Sequence, residues 1–231
     1  TWAICAKDLR AEFRTRYALS AIGLFAITTL AVISFALGPF GLEQDLLAVL
    51  LWVILFFAAM AGLSRSFVHE EDSRTAPALR LAAAPTAVYL GKYLFNLVLL
   101  LALELLIVPL FVGMMGLQVG SPGLFLLVLL LGDLGLAGVT TVVAAIVAQA
   151  STRGALFTVL SFPLLLPLLL KGIEGSRVAL SGDGIAAAWS SLGVLLAYAV
   201  AMVTISLMVF PIIWTEGAGE RRTRRPGAQR G

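Results

Sequence analysis

Six stretches of this chain stay apolar for about the length of a bilayer crossing, and that property restricts its fold more than any other. They run Ser20–Phe40, Leu46–Leu63, Tyr93–Val112, Leu124–Ala148, Ala155–Leu170 and Leu192–Trp214. Each is close to the ~17–25 residues that a ~30 Å hydrocarbon core demands of a helix. Hydrocarbon offers no partner for a free N–H or C=O, so each stretch must satisfy its own backbone. The expectation is an all-α membrane protein with six transmembrane helices.

An even number of crossings returns both termini to one side, and charge identifies that side. Lys7, Arg10, Arg14 and Arg16 precede the first span, and Arg65, Arg74, Arg80 and Lys92 separate the second from the third. Arg153 joins the fourth to the fifth, and Arg221, Arg222, Arg224, Arg225 and Arg230 follow the sixth. Fourteen of the sixteen Lys and Arg residues therefore share one set of loops, leaving Lys171 and Arg177 to the other. The positive-inside rule then places both termini in the cytoplasm.

Only 13% of the residues are charged and 60% are hydrophobic, so no stretch can build a soluble domain beside the helices. Residues 1–215 are read as a single six-span domain, and 216–231 as a basic, disordered cytoplasmic tail. A sequence pI near 9.4 reflects cytoplasmic loops facing anionic membrane lipid, not a nucleic-acid surface. One cysteine, Cys5, excludes an internal disulfide, and one histidine, His69, excludes a multi-histidine metal site within one copy. No metal site is expected.

Two cytoplasmic segments carry pattern. In Trp2–Tyr17 the residues Trp2, Cys5, Leu9, Phe13 and Tyr17 lie near one helical face and Lys7, Arg10 and Arg14 on another, which predicts an interfacial helix along the inner leaflet. A positive flank that only sets topology would leave the same sequence. Cys5 would be a small apolar filler on that face, with palmitoylation as the alternative.

The second segment, Ser64–Lys92, holds the acidic run Glu70, Glu71 and Asp72, then Ser73 and Thr75 as capping candidates before Ala76–Ala84. Carboxylates ahead of a short helix complement its positive end, Pro77 suits the first turn, and Pro85 stops it. A short rigid helix in the longest loop on that side could receive a push from a soluble motor. An ordinary solvated loop is the plainer reading.

Two carboxylates fall inside the spans: Glu104 near the middle of the third and Asp133 a third of the way into the fourth. A charge at a helix centre costs about 2.5–3.5 kcal/mol, so neither should face lipid. They form either a polar path or gate between the two helices, or a hydrogen-bonded strut in which one or both are protonated. No Lys or Arg inside a span is available to pair with them. Gly132, Gly135 and Gly138 make a smooth stripe for close helix contact. Pro163 and Pro167 remove two backbone donors from one face of the fifth span and should kink it.

No phosphate-binding loop of the form Gly-x-x-x-x-Gly-Lys-[Ser/Thr] occurs, nor Gly-x-Ser-x-Gly, nor His-Glu-x-x-His. The chain is therefore expected not to be an enzyme, and any ATP it depends on is hydrolysed by another subunit.

Taken in order, several pieces are similar to a known family. They are Lys7-Asp-Leu-Arg with Glu12 and Arg14-Thr-Arg; Ser34-Phe-Ala-Leu-Gly-Pro39; Trp52; Leu63-Ser-Arg-Ser-Phe67 with Glu71, Asp72, Thr75 and Pro85; and Leu90-Gly-Lys92. Then follow Leu101-Ala-Leu-Glu-Leu-Leu106 with Pro109-Leu-Phe111, Leu131-Gly132 with Leu134-Gly135, and the Pro163 to Pro167 run. The chain resembles the CcmB-type permease, the membrane subunit of the cytochrome c maturation transporter often called the haem exporter. It departs from that pattern at Arg74, where Gly often precedes the Thr, and at Asp133.

The resemblance implies an ABC-2-like exporter permease in the bacterial inner membrane that pairs with a second copy of itself and with a separate ABC ATPase. A tryptophan-rich haem-handling membrane protein and a periplasm-facing haem chaperone would complete the assembly. ATP and Mg would sit on the ATPase and haem on a partner, with no cofactor on this chain alone. ATP hydrolysis would be coupled to delivering haem or releasing the haem chaperone. Arg65, Phe67, Glu70, Glu71, Asp72, Thr75, Leu79, Leu81 and Pro85 would form the element that docks on the ATPase. The topology alone equally fits a permease exporting a lipid, glycoconjugate or peptide. The weak polarity of the spans also fits a non-transporting membrane scaffold.

Overall fold

The computed structural model describes residues 1–15, 17–37, 43–63, 79, 81–148 and 153–223. Within them the chain forms seven long helices and no strand: α1 (Trp2–Thr15), α2 (Tyr17–Leu37), α3 (Gln44–Leu63), α4 (Pro85–Met115), α5 (Pro122–Val147), α6 (Arg153–Ser181) and α7 (Ile185–Thr223). Five helical stretches are long and apolar enough to cross a membrane: Gln44–Leu63, Pro85–Met115, Pro122–Val147, Leu156–Ser181 and Ile185–Trp214. In α2 the apolar stretch is the shorter Gly23–Ala36.

The bundle is built around α5, whose residues are mostly buried and which packs on α4, α6 and α7. The α3 helix lies against α6, α2 bridges α3 and α4, and α1 rests on α4. Large apolar side chains such as Leu105, Val200 and Met208 point outward, as a lipid-facing surface requires.

Several helices outrun the expected spans, each for a local reason. The third was expected from Tyr93, but α4 begins at Pro85, in the first-turn position where a missing N–H costs nothing. It ends where Gly116 takes φ 62°, a left-handed cap whose N–H bonds the Val112 carbonyl. Leu79 and residues 81–82 are helical and the chain leaves helix at Ala83 and Ala84, so Pro85 closes one short helix and opens the next.

The fifth helix was expected to stop at Leu170. Instead α6 continues to Ser181, carrying Lys171 and Arg177 on the helix and not in a loop. There Lys171 pairs with Glu174 one turn on, and Arg177 meets Asp45 of α3 at 3.5 Å. Pro163 and Pro167 lie within this helix and do not interrupt it. The sixth helix runs to Thr223, so the tail expected to be disordered from Glu216 is helical over its first part; a helix already nucleated in the bundle propagates at little cost.

At the end of the bundle away from α1, two connections clasp each other. The Gly120 and Ser121 amides donate to the Leu180 and Ala179 carbonyls at 3.3 and 2.8 Å, and the Ser121 hydroxyl donates to the Asp183 carbonyl. A Cβ on Gly120 would come within 2.5 Å of the Gly182 Cα, and Gly182 itself sits at φ 85°. Only glycine satisfies both requirements.

Candidate functional site

The α1 helix was expected to bury Trp2, Cys5, Leu9, Phe13 and Tyr17 in lipid. The face it buries in the protein is Ile4, Cys5 and Asp8, which rest on the first turns of α4. Gly91 makes the approach possible, because a Cβ there would lie 2.8 Å from the Ile4 Cβ. One residue later the Lys92 ammonium reaches the Asp8 carboxylate at 2.8 Å, with both side chains under 10% exposed. Lys7 flanks the same carboxylate at 3.4 Å. Trp2 and Phe13, by contrast, remain 73% and 65% exposed.

This arrangement decides the chemistry of Cys5. Its side chain is fully buried, and burial, reinforced by the nearby Asp8 charge, pushes the thiol above its ordinary value. A buried, protonated thiol packs as a small apolar group and is a poor target for acylation, so the filler reading holds over palmitoylation.

Above the ion pair, α4 presents a polar and aromatic stripe to α5 and α7. The Tyr93 hydroxyl donates to the Leu134 carbonyl at 3.3 Å, and the Asn96 amide donates to the Thr141 hydroxyl at 2.8 Å. Thr140 and Thr141 bond back to the Leu136 and Ala137 carbonyls of their own helix. Tyr89 stacks on Tyr93 and tilts against Phe210, which stacks in turn on Trp214.

Further along the same two helices, Glu104 and Asp133 meet. Both are buried, and their carboxyl groups lie within reach of each other. The sequence placed these two residues on adjacent spans, and the fold brings them together. Asp133 Oδ2 makes no hydrogen bond. Among the described residues no Lys or Arg pairs with either carboxylate; Lys92 of the same helix reaches Asp8.

The glycine stripe of α5 does not serve one helix contact as expected. Gly132 houses the ring of Trp52 from α3, Gly135 meets Leu168 and Tyr198, and Gly138 meets Met202 and Val203. Gly172 of α6 covers the same indole, so a Cβ at Gly132 or Gly172 would stand 2.2 or 2.4 Å from a Trp52 ring atom. The Trp52 Nε1–H donates to the Ser176 hydroxyl at 2.9 Å, which ties α3 to α6. A large ring thus fills the space between three helices.

Of the residues assigned to ATPase docking, Arg65, Phe67, Glu70, Glu71, Asp72 and Thr75 lie outside the described residues. Leu79 packs against the core, Leu81 is 93% exposed, and Pro85 starts α4.

A profile described as "CcmB protein" matches residues 1–213. The chain belongs to the CcmB family. CcmB proteins are the membrane subunit of the haem-exporting ABC system of cytochrome c maturation, a permease family generally not catalytic itself. The apolar helices agree with an integral membrane protein, and the family is part of an ABC system with an ATPase partner. No curated protein matches the sequence.

The Asp8–Lys92 pair is not legible in the sequence, which places Lys92 in the cytoplasmic segment ahead of the third span and gives it no partner. One signal was available: Asp8 is the acidic member of the Lys7-Asp-Leu-Arg motif that precedes the first span.

Proposed function

We propose that this CcmB chain is the six-span, ABC-2-like permease of the cytochrome c maturation exporter in the bacterial inner membrane, with α2 as the first crossing and both termini cytoplasmic. The observation that carries the reading is at the base of α4. The segment between α3 and α4 feeds directly into Pro85, leaves Leu81 exposed, and enters a helix to which α1 is pinned by Asp8 and Lys92. An exposed leucine that follows an acidic stretch of sequence suits contact with a soluble ATPase, and a push there reaches α4 and α1 together.

In this reading Arg65, Phe67, Glu70, Glu71, Asp72, Thr75 and Leu81 face the ATPase, and a second copy of the chain completes the membrane unit. Haem stays with a tryptophan-rich membrane partner and is passed to a periplasm-facing chaperone. The only histidine, His69, lies in the cytoplasmic segment and so does not ligate haem on the far side. The work done is mechanical coupling of ATP hydrolysis to haem delivery or chaperone release.

A second reading, the non-transporting scaffold, draws on the packed interior. The Trp52 ring fills the space between α5 and α6, and Glu104 and Asp133 engage each other instead of lining an open path. Helix repacking without passage of substrate through one copy fits that interior.

The test is co-purification from native membrane in mild detergent. Glu71→Lys with Asp72→Lys, and separately Leu81→Glu, should lose the ATPase and cytochrome c assembly while the permease remains inserted. Unchanged ATPase recovery together with unchanged cytochrome c assembly would refute the coupling assignment.

A further inference from the structure

The rotation of α1 is fixed by its docked side, and that determines what its other sides can meet. Ile4, Cys5 and Asp8 face α4. Trp2, Leu9 and Phe13, at positions i, i+7 and i+11, share a second sector, and Arg10 and Arg14, one turn apart and both exposed, form a third beside it. Trp2 and Phe13 are mostly exposed although the helix is already packed on one side. The helix docks at the level of Gly91 and Lys92, two turns into α4.

We propose that α1 holds an anionic phospholipid: its phosphate on Arg10 and Arg14 and its acyl chains along Trp2 and Phe13. Arginines at i and i+4 are neighbours on a helix surface and can both bond one phosphate. Aromatic rings beside them suit the boundary between headgroups and acyl chains. The Asp8–Lys92 pair gives this surface its specificity. An unanchored amphipathic helix rolls to suit any surface, whereas a pinned one presents the same two arginines to a lipid each time. The occupant is thus a bound lipid retained through purification, and not loose attraction to a charged leaflet. The inference uses the topology proposed above only to place α1 at the cytoplasmic leaflet.

The experiment is native mass spectrometry of the full chain in detergent, titrated in parallel with phosphatidylglycerol, phosphatidylcholine and inorganic phosphate. The expected result is one or two retained phosphatidylglycerol adducts, few with phosphatidylcholine and none with phosphate. Arg10→Gln with Arg14→Gln should weaken their binding roughly thirtyfold, given the ~1 kcal/mol that each basic residue contributes near an anionic surface. Trp2→Ala with Phe13→Ala should also reduce it. Arg221→Gln with Arg222→Gln, which removes equal charge elsewhere, should leave it unchanged. Equal retention of the two lipids, or equal loss from both arginine pairs, would overturn the proposal. So would adducts that survive the Arg10 and Arg14 changes. ATPase recovery in the same samples reports on the coupling assignment separately, so failure of one does not pass for failure of the other.

Discussion

The Lys92 ammonium of α4 and the Asp8 carboxylate of α1 stand 2.8 Å apart in a protein-lined contact that leaves both side chains nearly inaccessible. The opposite charge offsets much of the cost of burying each, and Lys7 flanks the Asp8 carboxylate as well. Removing one partner of a buried pair leaves an uncompensated charge and costs about 3–5 kcal/mol, while removing both is often close to neutral. Lys92→Met or Asp8→Asn alone should therefore undock α1, and the double change should recover much of the loss. Thermal unfolding of the four forms in detergent gives the coupling energy directly. Additive effects of the two single changes would show that the residues do not depend on each other.

Cys5 reports the same docking by its reactivity. Its thiol is fully covered and held above its ordinary value of 9.0, first by burial and then by the Asp8 charge. The folded state thus favours the protonated thiol, so docking is at full strength below the ordinary thiol value and weakens as pH rises past it. Maleimide labelling at neutral pH should be slow in the native protein and much faster after Lys92→Met. Rapid labelling of the native chain would show that Ile4, Cys5 and Asp8 are not held against α4.

Trp52 and the glycines around it make a steric prediction. A methyl group at Gly132 would stand 2.2 Å from the ring, so Gly132→Ala must displace a tryptophan that has a helix on each side. Overpacking of this kind costs about 1–3 kcal/mol. Trp52→Phe in the same chain should relieve the clash, although it forfeits the hydrogen bond to Ser176. The melting temperatures of the two single variants and the double variant decide the matter: no rescue would place the strain elsewhere.

The carboxyl pair separates a strut from a charge-dependent gate. In Glu104→Gln the amide can still donate to Asp133, so a strut survives with nearly normal cytochrome c assembly. Glu104→Leu leaves Asp133 buried without that partner and should cost about 1–3 kcal/mol. If Glu104→Gln abolishes function while the protein stays as stable as before, ionisation of Glu104 matters and the strut account fails.

Much of this protein follows from local chemistry that a sequence displays. The apolar runs require helices because hydrocarbon offers no partner to a free backbone group, and Pro85 marks the end of the short helix before it through its own stereochemistry. The motif order from Lys7 to the Pro163–Pro167 run was enough to indicate the family. The sequence also set Glu104 and Asp133 apart, because a carboxylate in an apolar run is anomalous wherever it points.

Contacts between distant segments had to wait for the tertiary structure. Which face of α1 is buried depended on Gly91 and Lys92, some eighty residues away, and periodicity within α1 cannot distinguish a face turned to lipid from one turned to protein. The glycines of α5 formed a visible stripe, yet their division among Trp52, Leu168 and Val203 depends on how α3, α6 and α7 surround one helix. Sequence determined the elements because each satisfies its own backbone bonds; the pairings among them arise from complementary shapes and charges that exist only once the helices are side by side.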